Sequence, residues 1–262
     1  MPGSWKLMAA TASRRIEVIG LGGLPEIHPG DDLALLALDA CGREAIEPED
    51  RDVFVFTQKV VSKSEGRIVS LAGVEPSALA SRFAEESGRD ARLVEVVLQE
   101  ARRVVRMDRG ILVTETRHGL VCANSGVDAS NVEEEDSVCL LPEDADRSAE
   151  RLRTALTART GKTLAVLVTD TFGRPWREGQ VNVAIGISGM EPIADHRGFV
   201  DPQGRKLLVS EIAVADEIAG AAELVMGKLE RVPVAVARGY PFKPGDGGIR
   251  RLLRDRDQDL FR

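Results

Sequence analysis

Two aspartates, Asp128 and Asp170, hold the positions from which this chain most readily does chemistry. Asp128 lies inside ANSGVDASN (residues 123 to 131) and Asp170 inside VLVTDTFGRPWREG (residues 166 to 179). In both, an apolar, β-branched run gives way to Gly, Ser, Asn or Thr, so each carboxylate is expected to project from a strand end into a polar pocket. Mg²⁺ and Mn²⁺ prefer hard oxygen ligands, keep part of their water, and are held by one or two carboxylates together with substrate phosphates. Two aspartates on separate elements, with Asn131 and Thr171 beside them, meet that need. Taken singly, Asp128 reads as an Asx-turn residue and Asp170 as a helix cap. The pair, followed by a loop rich in Arg, Trp and Gly, favours a metal site.

Other motifs offer groups to anions. The chain has neither GxxxxGK[ST] nor a strand-linked GxGxxG, so a nucleotide must be held by some other device. TQKVVSKSEGR presents Lys63 and the amides near Ser62 and Gly66 to phosphate oxygens, although solvated lysines in a turn are the plainer reading. In TDTFGRPWREGQVNVAIG, Phe172 and Trp176 either anchor a core or, set among Arg174 and Arg177, clamp a planar or anionic ligand. Arg174, Arg177, Arg238 and Lys243 all lie in Gly/Pro-rich segments where a positive patch can form.

Composition sets the frame around these groups. A chain of 262 residues can bury a sizeable core as one large domain or two lobes. Its net charge of -7 argues against a nucleic-acid footprint. Cys41, Cys122 and Cys139 have no metal-type spacing, which suits buried thiols in a reducing compartment. His28, His118 and His196 are too scattered to form a ligand cluster. No apolar run has membrane-spanning length, and the start lacks a secretory signal. The expectation is a cytoplasmic protein with a flexible extension over residues 1–15 and a catalytic domain over 16–262.

The elements that must position the aspartates follow from local signals. RIEVIGL reads as a strand and GLPEIHPGDD as a loop, after which Asp31 or Asp32 caps a helix running to about Gly42. DVFVFTQ is a strand covered on both faces, leading through a turn in KVVSKSEG to a second strand. Pro76 to Glu86 and Ala91 to Val105 show helical spacing, the second with Leu93, Val96, Val97, Ala101 and Val104 on one stripe. ILVTETR and LVCANS make a hairpin that delivers the chain to Asp128. A helix from about Asp146 to Thr160 closes at Gly161, and TLAVLVT is a buried strand stopping at Asp170. VNVAIGISG, a long irregular excursion to about Gly204, a helix over Ser210 to Met226 and the strand VPVAVARGY complete the order. Hairpins mixed with helices predict α+β, with mixed and antiparallel sheets flanked by helices, rather than a doubly wound sheet.

GLPEIHPGDD, TQKVVSKSEGRIVSL, GVDASNV, TDTFGRPWREGQVNVAIGISG, VADEIAGAAELVMGK and VPVAVARGY together resemble the coenzyme F-420 γ-glutamyl ligase family, from about residue 16 to the C-terminus. The resemblance implies a stand-alone ligase domain with the family's own α+β fold, in two lobes and in an intertwined homodimer. It implies a GTP-dependent amide ligase that uses two Mg²⁺ or Mn²⁺ ions per subunit, helped by a monovalent cation such as K⁺. GTP would phosphorylate the terminal carboxylate of the F-420 precursor, and the amine of L-glutamate would attack the acyl phosphate, releasing phosphate.

Carried onto this chain, the resemblance makes Asp128 and Asp170 ligands of one metal and Thr171 of a second, with Asn131 on the nucleotide. It assigns the rest of the nucleotide site to Leu24, Pro25, Glu26 and Ile27, to Gln58, Lys59 and Lys63, and to Met226, Gly227 and Lys228. One departure stands out: this chain has the short KLERVP after Gly227, with Lys228 where some relatives offer an acidic residue. The acceptor pocket is expected around Arg174, Trp176, Arg177 and Tyr240. Two alternatives share these motifs: a related ligase acting on a different carboxylate, and a nucleotide-binding protein without turnover.

Overall fold

A computed structural model describes residues 14–129 and 136–259. Residues 1–13 of the expected extension, and Asn131, lie outside the described residues. The strands are β1 (Glu17–Leu21), β2 (Val53–Thr57), β3 (Ile68–Ser70), β4 (Ala101–Asp108), β5 (Ile111–Thr116), β6 (Val121–Ala123), β7 (Ser137–Cys139), β8 (Ala165–Arg174), β9 (Arg177–Ser188), β10 (Ala194–Asp195), β11 (Glu211–Ile212) and β12 (Val234–Arg238). The α-helices are α1 (Leu33–Arg43), α2 (Gln58–Ser64), α3 (Ala78–Ser87), α4 (Ala91–Glu100), α5 (Ala145–Thr160) and α6 (Val214–Met226).

The main sheet has the order β1-β12-β2-β8-β9, antiparallel except for the parallel pair β2 and β8. It is therefore mixed, and with the smaller antiparallel sheets β3-β7 and β4-β5-β6 the architecture is α+β. The two faces of β2 show how the sequence builds the layers. Phe54 and Phe56 point to one face, packing with Val166, Val168, Ala37, Ala149 and Leu156 beneath α1 and α5. Val53 and Val55 point to the other, against Leu167, Ala215 and Ala222 under α6. Because side chains alternate along a strand, a run of apolar residues suits a sheet covered on both sides. Burying one such Phe is worth about 2 to 3 kcal/mol.

Caps act where the residue types place them. The Asp32 carboxylate accepts the Leu35 N–H at 3.0 Å, satisfying one of α1's unpaired donors. Gly161, at φ 69°, closes α5 in the left-handed conformation.

Parallel strands need a long crossover. Here it runs from Thr57 to Ala165 and carries α2 through α5, including the α3/α4 pair that packs on β5. The C-terminal ends of β2 and β8, where ligands commonly bind in sheets with parallel strands, are thus overhung by an inserted segment.

Five local expectations change, one being that the helix expected from Ser210 begins only at Val214, after the short strand Glu211–Ile212. KVVSKS is the two-turn helix α2, not a turn, because Val60, Val61 and Ser62 are buried against the core. The helix expected to run to Val105 ends at Glu100, and Ala101–Asp108 is strand β4. Its pairing with β5 is interrupted by two register shifts, Ala101/Arg103 and Val104/Arg106, and such bulges let a spacing of three and four lie on a strand. β8 does not stop at Asp170 but continues to Arg174 and turns into β9. Trp176 sits in that turn at φ 55° and is 79% exposed, so it is not a core anchor.

Candidate functional site

Three segments bring the aspartates together. β2 and β8 pair in parallel only as far as Thr57 opposite Thr169, so Asp170 is the first β8 residue beyond its parallel neighbour. α2 begins at the same level, and its first turn projects Lys59. Asp128 arrives from the crossover, held by reciprocal backbone bonds with Cys139 (Asp128 N–H to Cys139 O, 2.9 Å; Cys139 N–H to Asp128 O, 2.8 Å). Asp128, Asp170 and Thr171 line one pocket of about 230 Å³ with Cys122, Gln180 and Lys228.

The approach to Asp128 is strained and supported. Asn124, Ser125 and Gly126 are consecutive left-handed residues, at φ 52°, 54° and 70°. Each non-glycine residue there costs about 1 kcal/mol. Neighbours hold the turn: Ser125 N–H donates to Thr114 Oγ1 (2.9 Å), Ser125 Oγ to Val97 O (2.8 Å), and Arg89 Nη1 to Asn124 Oδ1 (2.8 Å). At Gly126 a Cβ would lie 2.7 Å from Leu141, so only glycine fits the turn. Strain of this kind, fixed by its surroundings, clusters at functional sites.

The two lysines beside the pocket are bonded to Asp128 and Thr171 rather than to Asp170. Lys59 Nζ pairs with Asp128 Oδ2 at 2.8 Å, and Lys228 Nζ donates to Thr171 Oγ1 at 2.6 Å. Thr171 N–H donates to Asp170 Oδ1 at 2.8 Å. Burial pushes the Asp170 carboxyl up to about 6; the Thr171 N–H pulls against that, the Asp128 charge adds to it, and Lys228 and Lys59 oppose it weakly. Burial and then the Asp170 charge push the neighbouring Cys122 thiol up to about 12, so it remains neutral. A carboxylate with so little compensation is poised to gain from a cation.

The donor set fits a hard divalent ion: two carboxylates and a hydroxyl oxygen. Among the described residues no group of three or more His, Cys, Asp or Glu is gathered in one place.

The other expected nucleotide residues divide between surface and core. The Lys63 ammonium pairs with the Glu26 carboxylate, joining the 24–27 loop to α2. Ile27 is buried, and Leu24 packs on the same core. The Gln58 amide is turned inward, donating to Ser62 Oγ (2.6 Å) and Leu140 O (2.8 Å). Met226 is buried under the sheet, Gly227 ends α6, and Lys228 reaches the pocket. None of Arg174, Trp176, Arg177 and Tyr240 lines the pocket. Arg238 is committed to Asp52 and Glu49, outside any patch with Arg174 and Arg177.

Gln180 and Gly173 were missed in the sequence, although they are a cross-strand pair. Reading Arg-Pro-Trp-Arg as a hairpin turn would have placed them together. Cys122 carried no signal beyond its place at the end of a predicted strand.

The family model described as F420-0:Gamma-glutamyl ligase matches residues 22–239. A protein of Methanothermobacter thermautotrophicus named coenzyme F420:L-glutamate ligase is 45% identical over 250 residues, covering 94% of this chain and 99% of that protein. Proteins of the same name from Methanopyrus kandleri and Methanocaldococcus jannaschii are 44% and 40% identical, covering 92% and 95% of this chain and 100% and 98% of their own lengths.

Proposed function

The chain belongs to the F420-0:Gamma-glutamyl ligase family, and on that premise we propose that it joins L-glutamate to the terminal carboxylate of a coenzyme F-420 precursor, driven by GTP. It is a ligase that forms a carbon–nitrogen amide bond. A carboxylate and an ammonium ion do not condense in water without activation. In our reading the carboxylate oxygen takes the γ-phosphoryl group of GTP, giving an acyl phosphate and GDP. The glutamate amine then attacks the acyl carbon, and the carbon–oxygen bond to phosphate breaks as the amide forms.

The observation that carries this reading is the convergence of Asp128 and Asp170 on one pocket with Lys59 and Lys228 beside them. Asp128 and Asp170 would hold Mg²⁺ or Mn²⁺, with Thr171 as a neighbouring oxygen donor. When bound, the divalent ion would neutralise phosphate charge and the charge developing on the transferred group. Lys59 and Lys228 are positioned to meet phosphate oxygens once a cation takes over their carboxylate and hydroxyl partners. Glu26 and Lys63 would fix the 24–27 loop that, with α2, forms the nucleotide side of the site. We assign a homodimer as the active form and a monovalent cation as an accessory.

Incubating the protein with GTP, Mn²⁺, L-glutamate and the tail-free coenzyme should give products heavier by one or more glutamates, with GDP formed in step. GTP binding without any mass gain would contradict the proposal.

A further inference from the structure

Outside the pocket's own lining, the buried Asn182 side chain touches its donor set. Asn182 lies opposite Thr171 in the register of β8 and β9, and it is 5% exposed. Its backbone N–H points away from β8 and donates to the Glu223 carboxylate of α6 at 2.8 Å. The pair with Thr171 is thus the non-hydrogen-bonded kind, in which facing side chains approach most closely. Thr171 Oγ1 and Asn182 Oδ1 are 2.8 Å apart.

The direction of that bond follows from Lys228. An ammonium group can only donate, and Lys228 Nζ is 2.6 Å from Thr171 Oγ1. The hydroxyl's own proton must then go to the Asn182 carbonyl oxygen. With its proton turned back into the sheet, Thr171 Oγ1 presents only lone pairs to the pocket. A threonine free to rotate would spend part of its time pointing the proton at any cation.

We propose that Asn182 is a positioning residue: it takes the Thr171 proton and makes Thr171 Oγ1 an acceptor-only oxygen facing the Asp128 and Asp170 pocket. Glu223 anchors Asn182 from α6, so helix, edge strand and site are joined in one chain of contacts. The oxygen so oriented receives the Lys228 ammonium, and equally receives a divalent cation or a water bound to one. The inference rests on the metal-dependent ligase reading above and adds to it a residue that touches neither substrate nor metal.

The test is a double-mutant cycle on Mn²⁺ affinity, read by electron paramagnetic resonance with GDP present. The proteins are the unmodified chain, Thr171→Val, Asn182→Ala and the double variant, with thermal midpoints measured in parallel. Thr171→Val and Asn182→Ala should each weaken Mn²⁺ binding by about tenfold, as loss of one oriented hydrogen-bonding group does. The double variant should be no weaker than Thr171→Val alone. Asn182→Asp, which keeps an acceptor oxygen, should stay within about threefold of the unmodified chain, and it serves as the probe if Asn182→Ala does not fold. Multiplying losses, or unchanged affinity in Asn182→Ala, would overturn the role of Asn182 alone. An unmodified protein that binds GDP but no Mn²⁺ would overturn the metal site and this inference with it.

Discussion

Asp52 and Asp170 are two acidic side chains at opposite ends of the same parallel strand pair, and their surroundings differ in kind. Asp52, fully buried just before β2, receives two bonds from Arg238 (2.9 and 2.7 Å) and one from the Glu49 N–H (2.8 Å). Asp170, just past the parallel pairing of β8, receives the Thr171 N–H and faces Asp128, with its carboxyl pushed up to about 6. Burial of charge costs several kcal/mol unless paired and hydrogen-bonded. At one end the fold meets that cost from its own residues. At the other it leaves the cost standing, which is the arrangement expected where a ligand completes the site.

The largest effect that would break this contrast is on turnover. Asp170→Asn and Asp128→Ala should each lower the ligase rate by about a thousandfold or more, since each removes a charge from the proposed metal site. Mass-resolved product formation checks it, and near-normal rates in either variant would remove the contrast's functional half.

Next in size is stability at the other end. Asp52→Ala should destabilise the protein by about 3 kcal/mol, because it takes two bonds from the Arg238 guanidinium and the acceptor from the Glu49 N–H, leaving Arg238 only Glu49 and the Glu47 carbonyl, and urea denaturation measures it. A loss under about 1 kcal/mol would mean the two ends do not differ.

The third effect has the opposite sign. The folded-state value for Asp170 is about 6 against an ordinary 3.8, so its contribution to stability is fully present below pH 3.8 and is lost as pH rises through 6. Metal-free Asp170→Asn should therefore gain on the unmodified chain by roughly 2 to 3 kcal/mol between pH 4 and pH 7. Denaturation midpoints across that range test it, and a gap that does not widen with pH would refute the undercompensated carboxylate.

The smallest effect is at the hairpin turn. Trp176→Gly relieves a left-handed non-glycine residue and should change stability by under about 1 kcal/mol.

Signals confined to a few neighbouring residues were legible in the sequence. The cap at Asp32, the closing Gly161, the doubly covered strand at Val53–Thr57 and the hairpin before Asp128 all follow from short-range chemistry. What was not legible depends on distant partners. Ala101 begins a strand with no Gly or Pro to announce it, because β5 and its bulges decide the local conformation. Asp128 and Asp170 stood out as acids ending apolar runs, but nothing near them in the chain points to Cys122, Asn182 or Glu223. Those enter through the crossover, the edge strand and a helix that the chain supplies much later.

The most direct measurement is anomalous diffraction at the manganese edge from crystals grown with Mn²⁺ and GDP. The account predicts a manganese peak within bonding distance of both the Asp128 and the Asp170 carboxylates, with the nucleotide's phosphates on its far side. Manganese bound away from both carboxylates, with GDP in place, would contradict it.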